Sequence, residues 1–161
     1  MLKFIVDGML GGLARWLRML GYETEYDSDL DDNSLLKNSQ EKNAILLTRD
    51  EELHNRATAN GVTSVLVQGE TEEVRLAQLV NRLGISLDIN MANTKCSTCG
   101  SELREISKEE AAGTVPSASL TLYERFWKCT GRDCGKMYWV GSHWKRIHQT
   151  LAEARKISSR Q

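Results

Sequence analysis

The sequence predicts an α/β protein: a parallel sheet with helices on its faces, followed by a small cysteine-bearing module. Three observations predict it. Strand-like and helix-like runs alternate four times at a spacing of about 20 residues, the rhythm of parallel strands joined by crossover helices. Two of the strand-like runs, "FIV" and "AILL", are apolar throughout, as strands covered on both faces are. All four cysteines fall after residue 95, in a stretch unlike what precedes it.

The elements follow in order. Residues 3–6 read as a buried strand. In "GMLGGLARWLRML" (8–20), Met9, Leu10, Leu13, Trp16, Leu17 and Leu20 recur at helical spacing, with Arg15 and Arg18 assigned to the opposite face. Gly21 stops that helix. "YETEY" alternates as a second strand. "DDNSLLKNSQEKN" reads as a helix with Asp31 or Asp32 at its cap and Asn43 at its end. "AILLT" is a third strand and "DEELHNRATANG" a helix ended by Gly61. "VTSVLVQ" is a fourth strand. "TEEVRLAQLVNRLG" is a helix capped by Thr71 and stopped by Gly84. "ISLDINMANT" is a connector, and "SHWKRIHQTLAEARKISSRQ" a last helix with a frayed tail.

Composition sets outer bounds. The chain has 161 residues, 40 % hydrophobic and 27 % charged, ordinary values for a globular protein of one domain or one domain plus a module. No run approaches the roughly 20 apolar residues of a membrane span, and "MLKFIVD" has none of the three regions of a signal peptide. A cytoplasmic location is expected. The net charge of −1 conceals an asymmetry: five basic residues and one acid from Lys145 onward, against four aspartates in "DSDLDD". Such a pair of patches suits a protein holding both a polyanion and a metal, or simply two solvated faces.

Cys96 and Cys99 are two residues apart in "CSTCG", and Cys129 and Cys134 four apart in "CTGRDCG", across a gap of 29. Two close pairs with this separation have the arithmetic of a four-thiolate zinc site. Gly100 and Gly135 permit the turn after each pair. With every position filled by protein, such a zinc is structural. His143 and His148 lie in the next segment and are not needed to complete the tetrahedron.

Asp7 and Asp50 each end an apolar run, and Asp31 or Asp32 follows the second strand in the same way. In open parallel sheets, ligands bind at the carboxyl ends of the strands. Each aspartate has a plain alternative role as a helix N-cap. Three at one rim would repel one another unless a divalent cation lay among them, and hard oxygen ligands suit Mg²⁺ or Mn²⁺. No P-loop, dinucleotide fingerprint or nucleophile elbow is present. Metal-assisted phosphoryl chemistry remains.

The residues "FIVDGMLGGLARWLRMLGYET", "ILLTRDEEL", the paired cysteines and "FWKC…YWVGSHW" together resemble the Mut-seven C-terminal ribonuclease family, over about Leu2 to Arg146. The resemblance implies a PIN-like nuclease fold, a three-layer parallel sheet flanked by helices, with an inserted zinc ribbon. It implies a nuclease part at 1–93, completed by a C-terminal helix at 141–161, and a ribbon at 94–140. It places the family's acidic positions on Asp7, Asp32 and Asp50, as catalytic residues and ligands of Mg²⁺ or Mn²⁺, and its arginine on Arg15. The family commonly has a lysine where this chain has Gly12, and its second cysteine pair is usually closer. A fourth acid is common in PIN nucleases; Glu72, Glu73 and Asp88 are candidates.

Further residues carry two readings each. Arg15 suits a substrate phosphate or a solvated helix face. Arg49 can balance the charge of Asp50. His143 is a satisfied buried histidine or a site residue; Trp144 is core packing or a base-stacking platform. Tyr123, Phe126, Trp127, Tyr138 and Trp139 suit the core of a ribbon, with one free to stack on nucleic acid. The leading expectation is a metal-dependent endoribonuclease on single-stranded RNA. Cys96, Cys99, Cys129 and Cys134 would hold structural Zn²⁺, and Arg15, His143, Lys145 and Arg146 would bind substrate. The alternatives are a non-catalytic RNA- or protein-binding module using the ribbon, and a phospho-accepting receiver at Asp50, which lacks the usual second acid and lysine.

Overall fold

The apolar and alternating runs become the four strands of one sheet because each buries at least one face. The structure, a computed structural model, describes residues 1–160. Its first half runs β1 (Lys3–Val6), a 3-10 turn (Gly8–Leu10), α1 (Gly11–Met19), β2 (Glu23–Tyr26), α2 (Asp32–Lys42), β3 (Ile45–Thr48), α3 (Glu51–Ala59), β4 (Ser64–Leu66) and α4 (Glu72–Leu83). The strands are all parallel, in the order β2-β1-β3-β4.

Side-chain alternation along the strands builds three layers. Phe4, Val6, Ile45, Leu47, Val65 and Val67 face one way and pack with α1, α4 and a late helix, through Leu13, Leu17, Leu76 and Leu79. Ile5 and Leu46 face the other way, against Leu35 and Leu36 of α2 and Leu53 and Ala57 of α3. All four residues of β3 are buried, as its continuous apolar run requires.

The predicted stops hold. Asn43 ends α2 at φ 51°, and Gly84 ends α4 at φ 69°. The helix expected over 8–20 is divided, however. Its first turn is 3-10, and Met9 is 64 % exposed instead of facing the core. A tighter turn of three residues rotates Met9 off the 3.6-residue face.

The second half runs β5 (Leu103–Ile106), α5 (Lys108–Ala111), α6 (Ser117–Leu122), β6 (Phe126–Cys129), β7 (Met137–Tyr138) and α7 (Trp144–Ser159). β5, β6 and β7 form an antiparallel sheet. Its core is small: Ile106, Ala111, Val115 and Phe126, with Tyr123, Met137 and Trp139 against it. Trp127 is buried as well. α7 then returns to pack along α4, sending Leu151 and Ala154 into the main core.

Arg18 departs from its assignment to a solvated face. It is 5 % exposed. Its Nε donates to the Thr24 carbonyl at 3.0 Å, and one terminal nitrogen to the carbonyls of Ser97 and Thr98, each at 3.2 Å. The arginine therefore ties α1 and β2 to the first cysteine turn. Helical periodicity assigned it to the wrong side because its partners lie about 80 residues away. Gly100 closes that turn at φ +82°, and a Cβ there would meet Arg18 Nε at 3.0 Å, so both conformation and space require glycine.

No helix among the described residues is long and apolar enough to cross a membrane.

Candidate functional site

From β1 the chain crosses to β2 on one side, then to β3 on the other side of β1. This is the point at which strand order reverses, and open α/β sheets bind ligands in the crevice there. Asp7 directly follows β1, and Asp50 follows β3 by one intervening residue. The backbone N–H of Asp7 donates to the Leu47 carbonyl at 2.9 Å, continuing the pairing of the two strands to the rim.

Thr48 joins the two acids. Its buried hydroxyl donates to Asp7 Oδ2 at 2.7 Å and accepts from the Asp50 backbone N–H at 3.0 Å. The other Asp7 oxygen accepts from the Gly8 N–H at 2.7 Å, and Asp50 Oδ1 from the Leu53 N–H at 3.2 Å. Both aspartates are thus caps, as their plain alternative reading had it, and both also stand at the rim.

Asp31 and Asp32 divide the work at the start of α2. Asp31 is the cap, accepting from the Ser34 N–H at 2.8 Å, and that bond lowers its pKa. Asp32 is left free. Its carboxyl is raised by partial burial, then by the negative charges of Asp50 and Asp7, with Arg56 opposing. Asp32 is therefore within electrostatic reach of the other two.

Arg49 does not balance Asp50. It turns to the Gly69 carbonyl and, at 3.4 Å, to Glu70. Of the three further acids, Asp88 is bound by Arg155 at 3.0 Å beside the Leu87 carbonyl, and Glu73 makes no ion pair or side-chain hydrogen bond among the described residues. Glu72 differs. One oxygen accepts from Arg75 at 2.9 Å; the other is buried without a hydrogen-bond partner among the described residues. Burial raises its pKa, and the carboxylate lies against Gly12 at the start of α1. The signal for it was in the sequence: Glu72 opens a helix after a strand, as the rim aspartates do.

The predicted basic residues are distributed unevenly. Arg15 is exposed, has no ion pair or hydrogen bond among the described residues, and lines a cleft of about 340 Å³ between α1 and the cysteine module. Gly11, Arg18, Tyr26, Ser97, Thr98 and Lys136 complete that cleft. His143 is exposed, which removes its reading as a buried satisfied histidine, and it lines a second cavity beside Trp144. Trp144 is buried, and its Nε1 donates to the Trp139 carbonyl at 3.0 Å. Lys145 and Arg146 are exposed on the first turn of α7 and line neither space.

The four cysteine sulfurs lie within 4.8 Å of one another, the one group of its kind among the described residues. Cys96 and Cys134 are 3.7 Å apart and Cys99 and Cys129 3.4 Å. A disulfide would need about 2.05 Å. Four sulfurs at about 2.3 Å from one zinc stand near 3.8 Å from each other, so the cluster could bind Zn²⁺ with little adjustment. Neither His143 nor His148 belongs to it.

The surroundings suit thiolates. The Tyr138 hydroxyl lies 3.1 Å from Cys96 Sγ, and the Gly131 N–H donates to Cys129 Sγ at 3.2 Å. Burial alone would raise the Cys96 thiol; donors from Tyr138 and the turn amides bring it down to about 6. Burial pushes Cys129 up to about 12. Among crowded thiols one gives up its proton first and the rest hold theirs; a bound zinc removes them all.

The aspartates form no such cage. They interact without enclosing an ion directly. Mg²⁺ keeps several waters and ordinarily takes only one or two carboxylates, so a looser trio of hard oxygens fits it, while the sulfur cluster fits zinc.

Searches of curated proteins and of solved structures gave no match. A family model described as the Mut7-C RNAse domain matches residues 2–151, nearly the whole length, and the chain belongs to that family.

Proposed function

We propose that the protein is a metal-dependent ribonuclease that cleaves phosphodiester bonds of single-stranded RNA at the rim of β1 and β3. The family implies RNA as substrate. The observation that supports the reading is that Asp7 and Asp50 stand at the ends of β1 and β3, at the switch point, joined through the Thr48 hydroxyl, with Asp32 opening α2.

Asp7, Asp32 and Asp50 would hold one or two Mg²⁺ or Mn²⁺ ions. Such an ion neutralises charge on the attacked phosphate and acidifies a water at neutral pH. The chain's own residues prepare the place. Thr48 and the amides of Gly8 and Leu53 fix two carboxylates. Tyr26, donating to the Gly8 carbonyl at 2.7 Å, holds the turn after Asp7. Glu72, against Gly12 at the start of α1, is the candidate for a fourth acid, with a buried oxygen that has no hydrogen-bond partner among the described residues. Arg15, with no partner of its own, is available to a phosphate next to the site. The four cysteines hold the module that walls this cleft.

Asparagine caps a helix as well as aspartate does. Asp7→Asn should therefore keep the Gly8 bond through its amide oxygen, meet the Thr48 hydroxyl with its amide N–H so that Thr48 accepts where it had donated, and fold, while losing a ligand. Cleavage of labelled single-stranded RNA in Mn²⁺ should fall by more than the roughly 10–100-fold loss that follows removal of an outer-shell partner. Cleavage at the wild-type rate would end the proposal. RNA binding with no Mn²⁺-dependent cleavage, indifferent to changes at all three aspartates, would favour a binding module instead.

A further inference from the structure

The second cavity has a composition that the acidic rim does not use. It measures about 340 Å³ and lies between the connector, β7 and the start of α7. Tyr138, Trp139, His143 and Trp144 line it, with Lys95 and Lys136 also on its lining. Most of its surface is apolar carbon. Trp139 and Tyr138 are half-buried and His143 exposed, so their rings are reachable from solvent, whereas Trp144 is buried. Ring atoms plus ammonium groups at one opening match one ligand chemistry in particular: a flat π system attached to a phosphate.

Position strengthens this. Ser97 and Lys136 line both this cavity and the Arg15 cleft. The cleft begins at Gly11 and Tyr26, and the Tyr26 hydroxyl is bonded to the Gly8 carbonyl, one residue past Asp7. The two spaces thus adjoin at Ser97 and Lys136, and the cleft's other end is one hydrogen bond from the turn after Asp7. Lys136 sits at the junction. Its ammonium is 5.3 Å from the Tyr138 ring centre and 3.4 Å from Thr98 Oγ1, weak contacts that a phosphate can replace.

We propose that this cavity is a nucleobase-binding subsite. It takes one unstacked base of single-stranded RNA among Trp139, His143 and Tyr138, while Lys136 and Arg15 hold the adjoining phosphates on the way to the acidic rim. The subsite rests on the ribonuclease reading for its ligand, and deepens it. It selects unpaired strands because a base inside a duplex cannot leave its stack without cost. It is tolerant of sequence, since every base offers a π face and the lining offers few hydrogen-bonding groups.

The test uses zinc-loaded full-length protein carrying Asp7→Asn, without added divalent ions, so that binding is read apart from cleavage. The probe is a fluorescein-labelled oligouridylate of about ten nucleotides, and a set of the same oligomer with one abasic nucleotide moved through every position. Binding is followed by anisotropy. The subsite predicts that an abasic nucleotide weakens binding roughly 10-fold at one or two adjacent positions and little elsewhere. Trp139→Leu should abolish that position dependence and His143→Ala should reduce it. Lys136→Ala should weaken every oligomer and lower the salt dependence by about one phosphate contact. Trp139 packs on Phe126, so zinc content and melting temperature accompany that variant; His143 and Lys136 are exposed and serve if it does not fold.

A flat abasic profile, or variants that bind like their parent, would overturn the subsite even if wild-type protein cleaves RNA. Position-dependent binding with no Mn²⁺-dependent cleavage would retain the subsite and reject the nuclease. Absence of RNA binding would reject both.

Discussion

At the residue scale, the rim is organised by one buried hydroxyl. Thr48 donates a hydrogen bond to Asp7 and accepts one from the Asp50 amide, so two acids from different strands are held in register by a single side chain. Asp32 has no such support, and it registers the cost of three like charges. Its carboxyl is raised in the fold, first by burial and then by Asp50 and Asp7. A raised folded pKa contributes stability that is fully present below the unfolded value and is lost as pH rises through the folded one. At neutral pH the ionised Asp32 therefore works against the metal-free fold. Asp32→Asn should raise the melting temperature of zinc-loaded, Mg²⁺-free protein at pH 7, and the gain should shrink as pH falls toward 4. Calorimetry across that range checks it; a destabilised variant at pH 7 would mean that Asp32 is held by contacts and not merely tolerated.

At the element scale, most of the first half is legible from the sequence, for local reasons. The four strands, Thr71 and Gly84 around α4, and Asn43 after α2 all obey rules acting within a few residues. Asp7 and Asp50 are legible because strand ends and helix starts are. Choosing between Asp31 and Asp32 needed resemblance, since both stand at the same helix start. What stayed hidden depends on contacts distant in sequence. Arg18 looked solvated because its carbonyl partners belong to the first cysteine turn. His143 gave no sign of its exposure, and the ribbon's sheet is made of strands too short and mixed to announce a period. The Arg18 arrangement has a measurable consequence. Arg18→Met keeps the aliphatic stem but strips donors from the carbonyls of Thr24, Ser97 and Thr98. Unsatisfied buried carbonyls cost roughly 1–3 kcal/mol each, and partial access of water to Ser97 and Thr98 moderates the sum. Chemical denaturation should show a loss of about 3 kcal/mol, and loss of under about 0.5 kcal/mol would show that Arg18 does not join the two parts.

At the scale of the whole molecule, two sites of different chemistry divide the labour. The sulfur cluster organises a module whose own apolar core comprises few residues, too few to stand without a staple. One zinc per chain should be found by elemental analysis. Its removal by a strong chelator should unfold the β5–β7 sheet, and acid should do the same as protons displace the metal from thiolates. The circular-dichroism signal of the first half should persist longer, because its two apolar layers do not draw on the cysteines. The acidic rim, the proposed cation site, is in contrast built by the main sheet. The module and α7 bring basic and aromatic side chains to its neighbourhood.

The central claim is that the carboxylates at the ends of β1 and β3 gather around a divalent ion. The most direct measurement is Mn²⁺ binding, read by the loss of the free-ion paramagnetic resonance signal, for zinc-loaded wild type and for Asp7→Asn and Asp50→Asn. The account predicts saturable binding of one or two ions by the wild type, and much weaker binding by each variant with the fold intact. Equal Mn²⁺ binding by all three proteins, or none by the wild type at millimolar Mn²⁺, would contradict it.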